Sequence, residues 1–276
     1  ERQFAMWKGA EKSLYFSSGY QANIGLISSI TQKGDVIFSD ELNHASLIDG
    51  MRLSSAERRI FPHLDLEKIT RFLREKPGEG QKFLVTESLF SMDGDIAPLD
   101  KYAEICAKTK TVLVVDEAHA VGIYGGTGSG LIEKFGLKHN QIISINTAGK
   151  ALGVSGAFIA GSSDLIDFLI NRCRSFIFST APLPICAVAL GKAIEIVQNQ
   201  TKRRARLLEL AKYFRHLLKE NNFAVSDETS QIVPILIGER RKAVKIANQM
   251  QVEGFDVRAI RPPTVPSGTS RLRVSL

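Results

Sequence analysis

The chain has 276 residues, 44% of them hydrophobic and 24% charged, with a formal net charge of +7. Such a content supports a large buried core and speaks against a disordered or fibrous chain, and no run of ~18 apolar residues is present that would predict a membrane span. Cys106, Cys173 and Cys186 are odd in number and lack CxxC spacing, which argues against a disulfide framework or a zinc site and makes a reducing cytoplasm the default location.

The chain opens on ERQFAMWKGAEKSL (1–14), which reads as a helix already under way, and closes on RLRVSL, which reads as a strand, so the sequence is expected to be a fragment. Between them come a helix over 21–30, strand 35–40, a helix over 45–53, strand 58–62 and a helix over 64–75. Strand 82–88, a helix over 99–108, strand 111–116 and strand 142–147 continue the alternation, and GAFIAG is strand-like. Such alternation predicts an α/β fold, a mostly parallel sheet with helices on both faces. After Pro182 and Pro184 one long helical pattern runs to about Lys219, followed by strand 232–238, a helix over 240–253 and strands FDVRAI and RLRVSL. The expected division is a large domain over 1–185, lacking its N-terminal part, and a connecting helix with a partial smaller α+β domain over 186–276. No internal repeat or low-complexity segment is evident.

The basic residues are scattered. Their densest cluster, TKRRARLLEL (201–210), suits the solvated face of a helix, although a basic surface also suits a polyanionic acyl carrier.

Chemistry concentrates in TVLVVDEAHA (111–120). Its Val/Leu block reads as a strand buried on both faces with Asp116 at the carboxyl end, the place where open α/β sheets bind ligands. Four letters, DEAH, would equally suit the magnesium-binding strand of a nucleic-acid helicase. That function also needs GxxxxGK[ST], and here Ser144 stands at the required glycine and Ala151 at the metal-binding hydroxyl. GGTGSG (125–130) likewise misses the GxGxxG spacing and follows no strand directly. A strand-end carboxylate, a histidine three residues on and Lys150 in a small-residue loop are instead the groups needed to hold pyridoxal phosphate.

SSGYQAN (17–23), NHASLIDG (43–50), TESLFSMDGDIAPL (86–99), VDEAHAVGIYGGTGSG (115–130), TAGKALGVSGAF (147–158), FIFSTAPLP (176–184) and RPPTVPSGTSRLRVSL (261–276) carry a resemblance in order along the whole chain. They resemble the α-oxoamine synthases, fold-type I pyridoxal-phosphate transferases that condense an amino acid with an acyl-CoA and lose carbon dioxide. Within that family the closing RPPTVPSGTSRLR is similar to members that join L-alanine to pimeloyl-CoA, or to a pimeloyl carrier-protein thioester, giving 8-amino-7-oxononanoate for biotin biosynthesis. The alternatives are a glycine-using acyltransferase such as a 2-amino-3-ketobutyrate CoA ligase, and, from another class, a non-catalytic paralogue that only dimerises.

The resemblance implies a role for each matching residue. Lys150 is the Schiff-base lysine and later a base at Cα, Asp116 pairs with the pyridinium nitrogen, and His119 meets the phenolic oxygen. Ser91 lies at the same ring edge, and His44 stacks on the ring close to substrate. Gly19 and Tyr20, at a helix start, and Thr147 hold the phosphate, while Ser179 and Thr180 reach the phosphate of a neighbouring subunit, which implies a homodimer with shared sites. Arg273 clamps the amino-acid carboxylate and Thr264 contacts the acyl substrate. Taken one by one, several have plainer readings: Ser91 as a turn residue, His44 as a satisfied structural histidine, Tyr20 as a core aromatic and Arg273 as a strand-face cation. No metal, membrane or nucleic-acid partner is expected.

Overall fold

The computed structural model describes residues 1–75, 80–138, 142–228 and 230–276. The chain divides into two compact units, one of residues 1–89 and 97–201 and the other of 90–96 and 202–276.

In the first unit the elements run α1 (Arg2–Lys8), β1 (Lys12–Phe16), α2 (Gly19–Ile30), β2 (Val36–Asp40), α3 (Ala45–Leu53), β3 (Glu57–Phe61), α4 (Leu66–Arg74) and β4 (Lys82–Glu87). They continue with α5 (Leu99–Thr109), β5 (Thr111–Asp116), α6 (Leu131–Lys134), β6 (Ile142–Thr147), β7 (Ala157–Gly161), α7 (Ser163–Arg172), α8 (Arg174–Ile177) and α9 (Pro184–Asn199). The seven strands form one sheet in the order β1-β7-β6-β5-β4-β2-β3. Five of them, β6 to β3 in that order, are mutually parallel, and β7 runs antiparallel to both its neighbours. This is the mostly parallel sheet that the alternation predicts, and its central strands are almost wholly buried because helices cover them.

Val85 of β4, Val114 of β5 and Ile145 of β6 pack with Ala22, Leu26 and Ile27 of α2 and with Leu47 and Met51 of α3. Side chains two residues further on in β4 and β5, Glu87 and Asp116, therefore point to this same face. Ser18 caps α2 by accepting from the Gln21 amide, which starts the helix two residues ahead of the expected 21. Helices α2 and α3 approach closely at Gly50, where a Cβ would lie 3.0 Å from the Asn23 carbonyl oxygen and 3.2 Å from Ile24 Cα. Replacing Gly50 with Val is expected to cost about 1–3 kcal/mol, because backbone atoms on the facing helix must give way; a thermal or urea melt of the variant reads this, and an unchanged midpoint would contradict the close packing.

Two sequence expectations change. The opening helix ends at Lys8 because Gly9 turns left-handed (φ 67), and residues 12–16 instead pair with β7 as an edge strand. Leu14 and Phe16 are buried there, and Phe158 of β7 lies stacked between Phe4 and Tyr15, so tertiary pairing overrides the helical reading. The single helix expected up to Lys219 is broken at Gln200 into α9 and α10 (Thr201–Glu220). Helices α6, α7 and α8 are additions to the expected elements.

The second unit consists of α10, β8 (Ile232–Gly238), α11 (Arg240–Val252), β9 (Arg258–Ile260) and β10 (Ser270–Ser275), with an antiparallel sheet in the order β8-β10-β9. Leu218, Val233, Ile235, Ala247, Val257 and Leu272 form its core. Arg215 is buried and donates to the carbonyls of Ser230 and Ile232, each at 2.6 Å, tying α10 to the start of β8. Residues 90–96 belong here because Gly94, with φ 77, lies against the Ile232 carbonyl so closely that a Cβ would come within 2.5 Å.

Candidate active site

The carboxyl ends of β2, β4, β5 and β6 meet the amino ends of α2 and α3, and most of the expected residues of the first unit gather there. Asp116, the last residue of β5, is 5% exposed. Its Oδ2 accepts from Asn23 Nδ2 at 2.8 Å and its Oδ1 from the Ala118 amide at 2.8 Å, so the carboxyl group is fixed in orientation. Asn23 Nδ2 also donates to Ser46 Oγ at 2.8 Å, and Ser46 Oγ lies 2.7 Å from His44 Nδ1. His44 caps α3, its Nδ1 accepting from the Ser46 amide. A continuous chain of hydrogen bonds thus runs from Asp116 to His44. Asn23 and Ser46 are not among the sequence-derived site residues, although they lie inside the motifs SSGYQAN and NHAS.

Lys150 sits at the tip of the β6–β7 connection, a tight loop closed by Ala148 N to Gly156 O at 2.9 Å and Gly153 N to Lys150 O at 3.0 Å. Its Nζ is 2.9 Å from His119 Nε2. Lys150 is exposed and His119 half-buried.

Gly19 begins α2, and an added Cβ there would lie 2.6 Å from Thr147 Oγ1 at the end of β6. The helix leaves the Gly19 and Tyr20 amides unused, a positive end facing a hydroxyl, which suits a phosphate. The Tyr20 side chain turns elsewhere: its hydroxyl donates to Asp49 Oδ2 at 2.7 Å, which raises the phenol above its usual range, and the ring is half exposed. Ser179 Oγ accepts from Gln21 Nε2 at 2.7 Å, and the Thr180 carbonyl accepts from Ser17 Oγ at 3.1 Å. Both border a cavity of about 690 Å³ that Phe16, Phe158 and Phe176 also line.

Besides Asn23 and Ser46, sequence reasoning passes over a third group, which also lies inside a quoted motif, TESLFSMDGDIAPL. Glu87 ends β4 in direct register with Asp116 and is 3% exposed. Burial first, and then the charge of Asp116, push its carboxyl up to about 8, while Lys150 and the His44 backbone amide pull the other way. A sequence signal exists, since TES ends a strand as VVDEAH does, but only strand order makes the two carboxyls neighbours.

Ser91, Thr264 and Arg273 lie in the second unit. Arg273 Nη1 donates to the Ser91 carbonyl at 3.1 Å, and the neighbouring Arg271 pairs with Asp93, so β10 and the 90–96 segment are held together by two guanidinium groups. Burial lowers the Arg273 pKa from its usual value, yet a guanidinium stays charged at neutral pH. Thr264 is exposed in a turn, its amide bonded to the Arg261 carbonyl at 3.0 Å. Among the described residues no His/Cys/Asp/Glu cluster could hold a metal ion, and no helix is long and apolar enough to cross a membrane.

These residues fit pyridoxal phosphate: an oriented carboxyl group for a ring nitrogen, an exposed lysine beside a histidine, and a helix start at Gly19 where a Cβ would fill the space in front of Thr147. The family model for aminotransferase class I and II matches residues 1–276. The 8-amino-7-oxononanoate synthase of Lysinibacillus sphaericus is 44% identical, the alignment covering all of this chain and 71% of that protein. Among solved structures, serine palmitoyltransferase from S. paucimobilis with bound pyridoxal phosphate and myriocin superposes with a TM-score of 0.95 at 30% identity, over all of this chain and 70% of that one. An 8-amino-7-oxononanoate synthase from Francisella tularensis superposes at 0.88 with 32% identity, over all of this chain and 79% of that one. The chain belongs to the class I and II aminotransferase family and, within it, to the pyridoxal-phosphate-dependent acyltransferases of the 8-amino-7-oxononanoate synthase type.

Proposed function

We propose that the chain is the catalytic part of an enzyme that condenses L-alanine with a pimeloyl thioester, on CoA or a carrier protein, releasing carbon dioxide and 8-amino-7-oxononanoate. The observation that carries this is the 2.9 Å contact of Lys150 Nζ with His119 beside an Asp116 fixed by Asn23. When bound, the cofactor supplies an electron-withdrawing pyridinium ring that stabilises negative charge at the amino-acid Cα.

The residues divide the remaining tasks. Asp116, oriented by Asn23 and the Ala118 amide, would face the ring nitrogen and favour its protonated form. Lys150, whose amine lies 2.9 Å from His119 Nε2, would carry the proton to and from Cα, with His119 holding that amine in place. His44 is held by Ser46 to cover the ring face, and Ser91 is assigned to the ring's polar edge. The amides of Gly19 and Tyr20 and the hydroxyl of Thr147 hold the phosphate. Arg273 is assigned to the alanine carboxylate, for which a guanidinium fork is suited, and Thr264 to the acyl chain.

Ser179 and Thr180 are assigned to the phosphate of a second subunit. Supporting this, Phe178, Leu183, Ile185 and Val188 around them are 67–72% exposed, an apolar surface that a second copy would cover. In the full-length protein Val188→Asp is expected to shift a dimer to a monomer by light scattering, and an unchanged mass would overturn the dimer assignment. The cytoplasm is the proposed location.

Mass spectrometry of products tests the function: full-length enzyme with alanine and pimeloyl-CoA should yield 8-amino-7-oxononanoate. Product from glycine alone would replace this reading with that of a glycine-using acyltransferase. Gly19→Ala is expected to weaken phosphate-dependent cofactor binding about tenfold, because the new Cβ displaces the Thr147 hydroxyl. Titration with cofactor measures this, and wild-type affinity in the variant would remove Gly19 from the phosphate cradle.

A further inference from the structure

Two carboxyl groups stand side by side on the face that receives the cofactor. Glu87 and Asp116 are register partners on parallel strands, and both are almost fully buried. Their surroundings differ. Asp116 accepts two hydrogen bonds, from Asn23 and from the Ala118 amide. Glu87 is offered the His44 backbone amide, and its Oε1 has no hydrogen-bond partner among the described residues.

Adjacent buried carboxyls cannot both ionise cheaply, and the proton stays on the less solvated one. Here that is Glu87. The charged groups that face it are Asp116 on β5, Asp40 at the end of β2 and Lys150 beyond β6. Asp40 is itself engaged by His63 Nδ1 at 2.9 Å and by the Leu42 and Leu64 amides, and the Asp116–Asn23–Ser46–His44 chain closes the side toward α2 and α3. Burial first, and then the charges of Asp116 and Asp40, favour the proton on Glu87 against one exposed lysine and the His44 amide.

We propose that Glu87 is a positioning residue that stands as a neutral acid in the cofactor-free site and releases its proton when a cationic ring seats against Asp116. This rests on the assignment of Asp116 to the ring nitrogen. Burial and the charge of Asp116 favour the protonated form, in that order, and a cation at Asp116 turns the second against it; the O–H bond of Glu87 then breaks, the electron pair stays on its oxygen and the proton passes to buffer. Loading of the cofactor is thereby coupled to pH and is favoured as pH rises. The ionised Glu87 then accepts more strongly from the His44 amide, holding the residue whose ring covers the site.

The test uses full-length protein stripped of cofactor and pyridoxine 5′-phosphate as the probe, because its alcohol cannot react with Lys150. Calorimetric titration near pH 7 in buffers of different ionisation heat counts the protons exchanged. Wild type should release up to about one proton more than Glu87→Gln, the phosphate contribution being common to both. Equal proton counts in the two proteins overturn the inference while leaving the cofactor site standing, whereas no binding heat in either protein overturns the site and the inference together.

A second measurement needs no ligand. A carboxyl whose folded pKa lies above its unfolded one costs nothing at low pH, where both states hold the proton, and costs progressively more as pH rises from the unfolded value through the folded one. The melting temperature of Glu87→Gln should therefore gain on that of wild type between pH 5 and 8, a window set by the ordinary glutamate value of 4.5 and the folded value of about 8. A gap independent of pH would mean that Glu87 is already ionised and the proposal fails.

Discussion

Replacing Lys150 with alanine should leave a folded protein that cannot retain its cofactor through dialysis and forms product at least ~1000-fold more slowly. The expectation follows from position. Lys150 lies at the exposed tip of the loop joining β6 and β7, so truncation opens no core cavity, yet it removes the amine that contacts His119. Absorbance of the dialysed protein, its melting temperature and the product yield should separate the effects: colour and activity lost, stability within ~0.5 kcal/mol of wild type. Retained colour together with retained activity would remove Lys150 from the chemistry. His119→Ala, by contrast, should retain the bound cofactor while shifting the pH dependence of the rate, because the lysine amine loses its partner rather than its existence.

The second large effect is on stability. Lys8 of α1 and Glu117, the residue after Asp116, form an ion pair with both side chains 0% exposed. Lys8 Nζ also donates to the Ser129 carbonyl at 2.5 Å, and Glu117 Oε1 accepts from the Leu131 and Ile132 amides at 2.6 and 3.0 Å, which caps the start of α6. Both charged groups thus have hydrogen bonds beyond the pair itself, which is the condition under which a buried pair holds. Lys8→Met strands the carboxylate in a dry site and should cost about 3–5 kcal/mol. The double variant Lys8→Met/Glu117→Gln removes both charges while keeping an acceptor for the α6 amides, and should recover a coupling of about 1–3 kcal/mol relative to the sum of the single changes. Urea titrations of the four proteins measure that coupling, and strictly additive losses would show that the two groups do not depend on each other. The pair also links the start of the chain to the loop that follows Asp116 and carries His119. A weaker cofactor affinity in Lys8→Met, at a temperature where the fold persists, is the companion expectation.

Much of the fold is legible in the residue pattern. Val112 to Val115 and Ile142 to Ile145 read as buried strands because a strand covered on both faces has no polar position to alternate with, and both are central strands of the sheet. Helix α3 begins at Ala45 as expected, since His44 and Ser46 supply its cap. Elsewhere local pattern is outvoted. Residues 12–14 sit in a segment with helical spacing, but Gly9 ends α1 and the backbone of 12–16 finds its partners on β7, more than 140 positions away. Gln200 interrupts a continuous helical pattern, which no cap residue at that point announces.

The sequence alone determined the chemistry available at the site: which strand ends in a carboxylate, which loop presents a lysine, and which helix start is free of a side chain at Gly19. It determined the family too, because seven ordered motifs carry that information without coordinates. What only the tertiary structure decided is which of these groups share an environment. Asn23 reaches Asp116 across 93 positions, and Glu87 becomes the neighbour of Asp116 through the β4–β5 pairing. Proton affinity depends on burial and on charges a few ångströms away, and neither is a property of residue type or spacing along the chain. Strand order sets both, so the protonation state of Glu87 is decided only once the sheet is assembled.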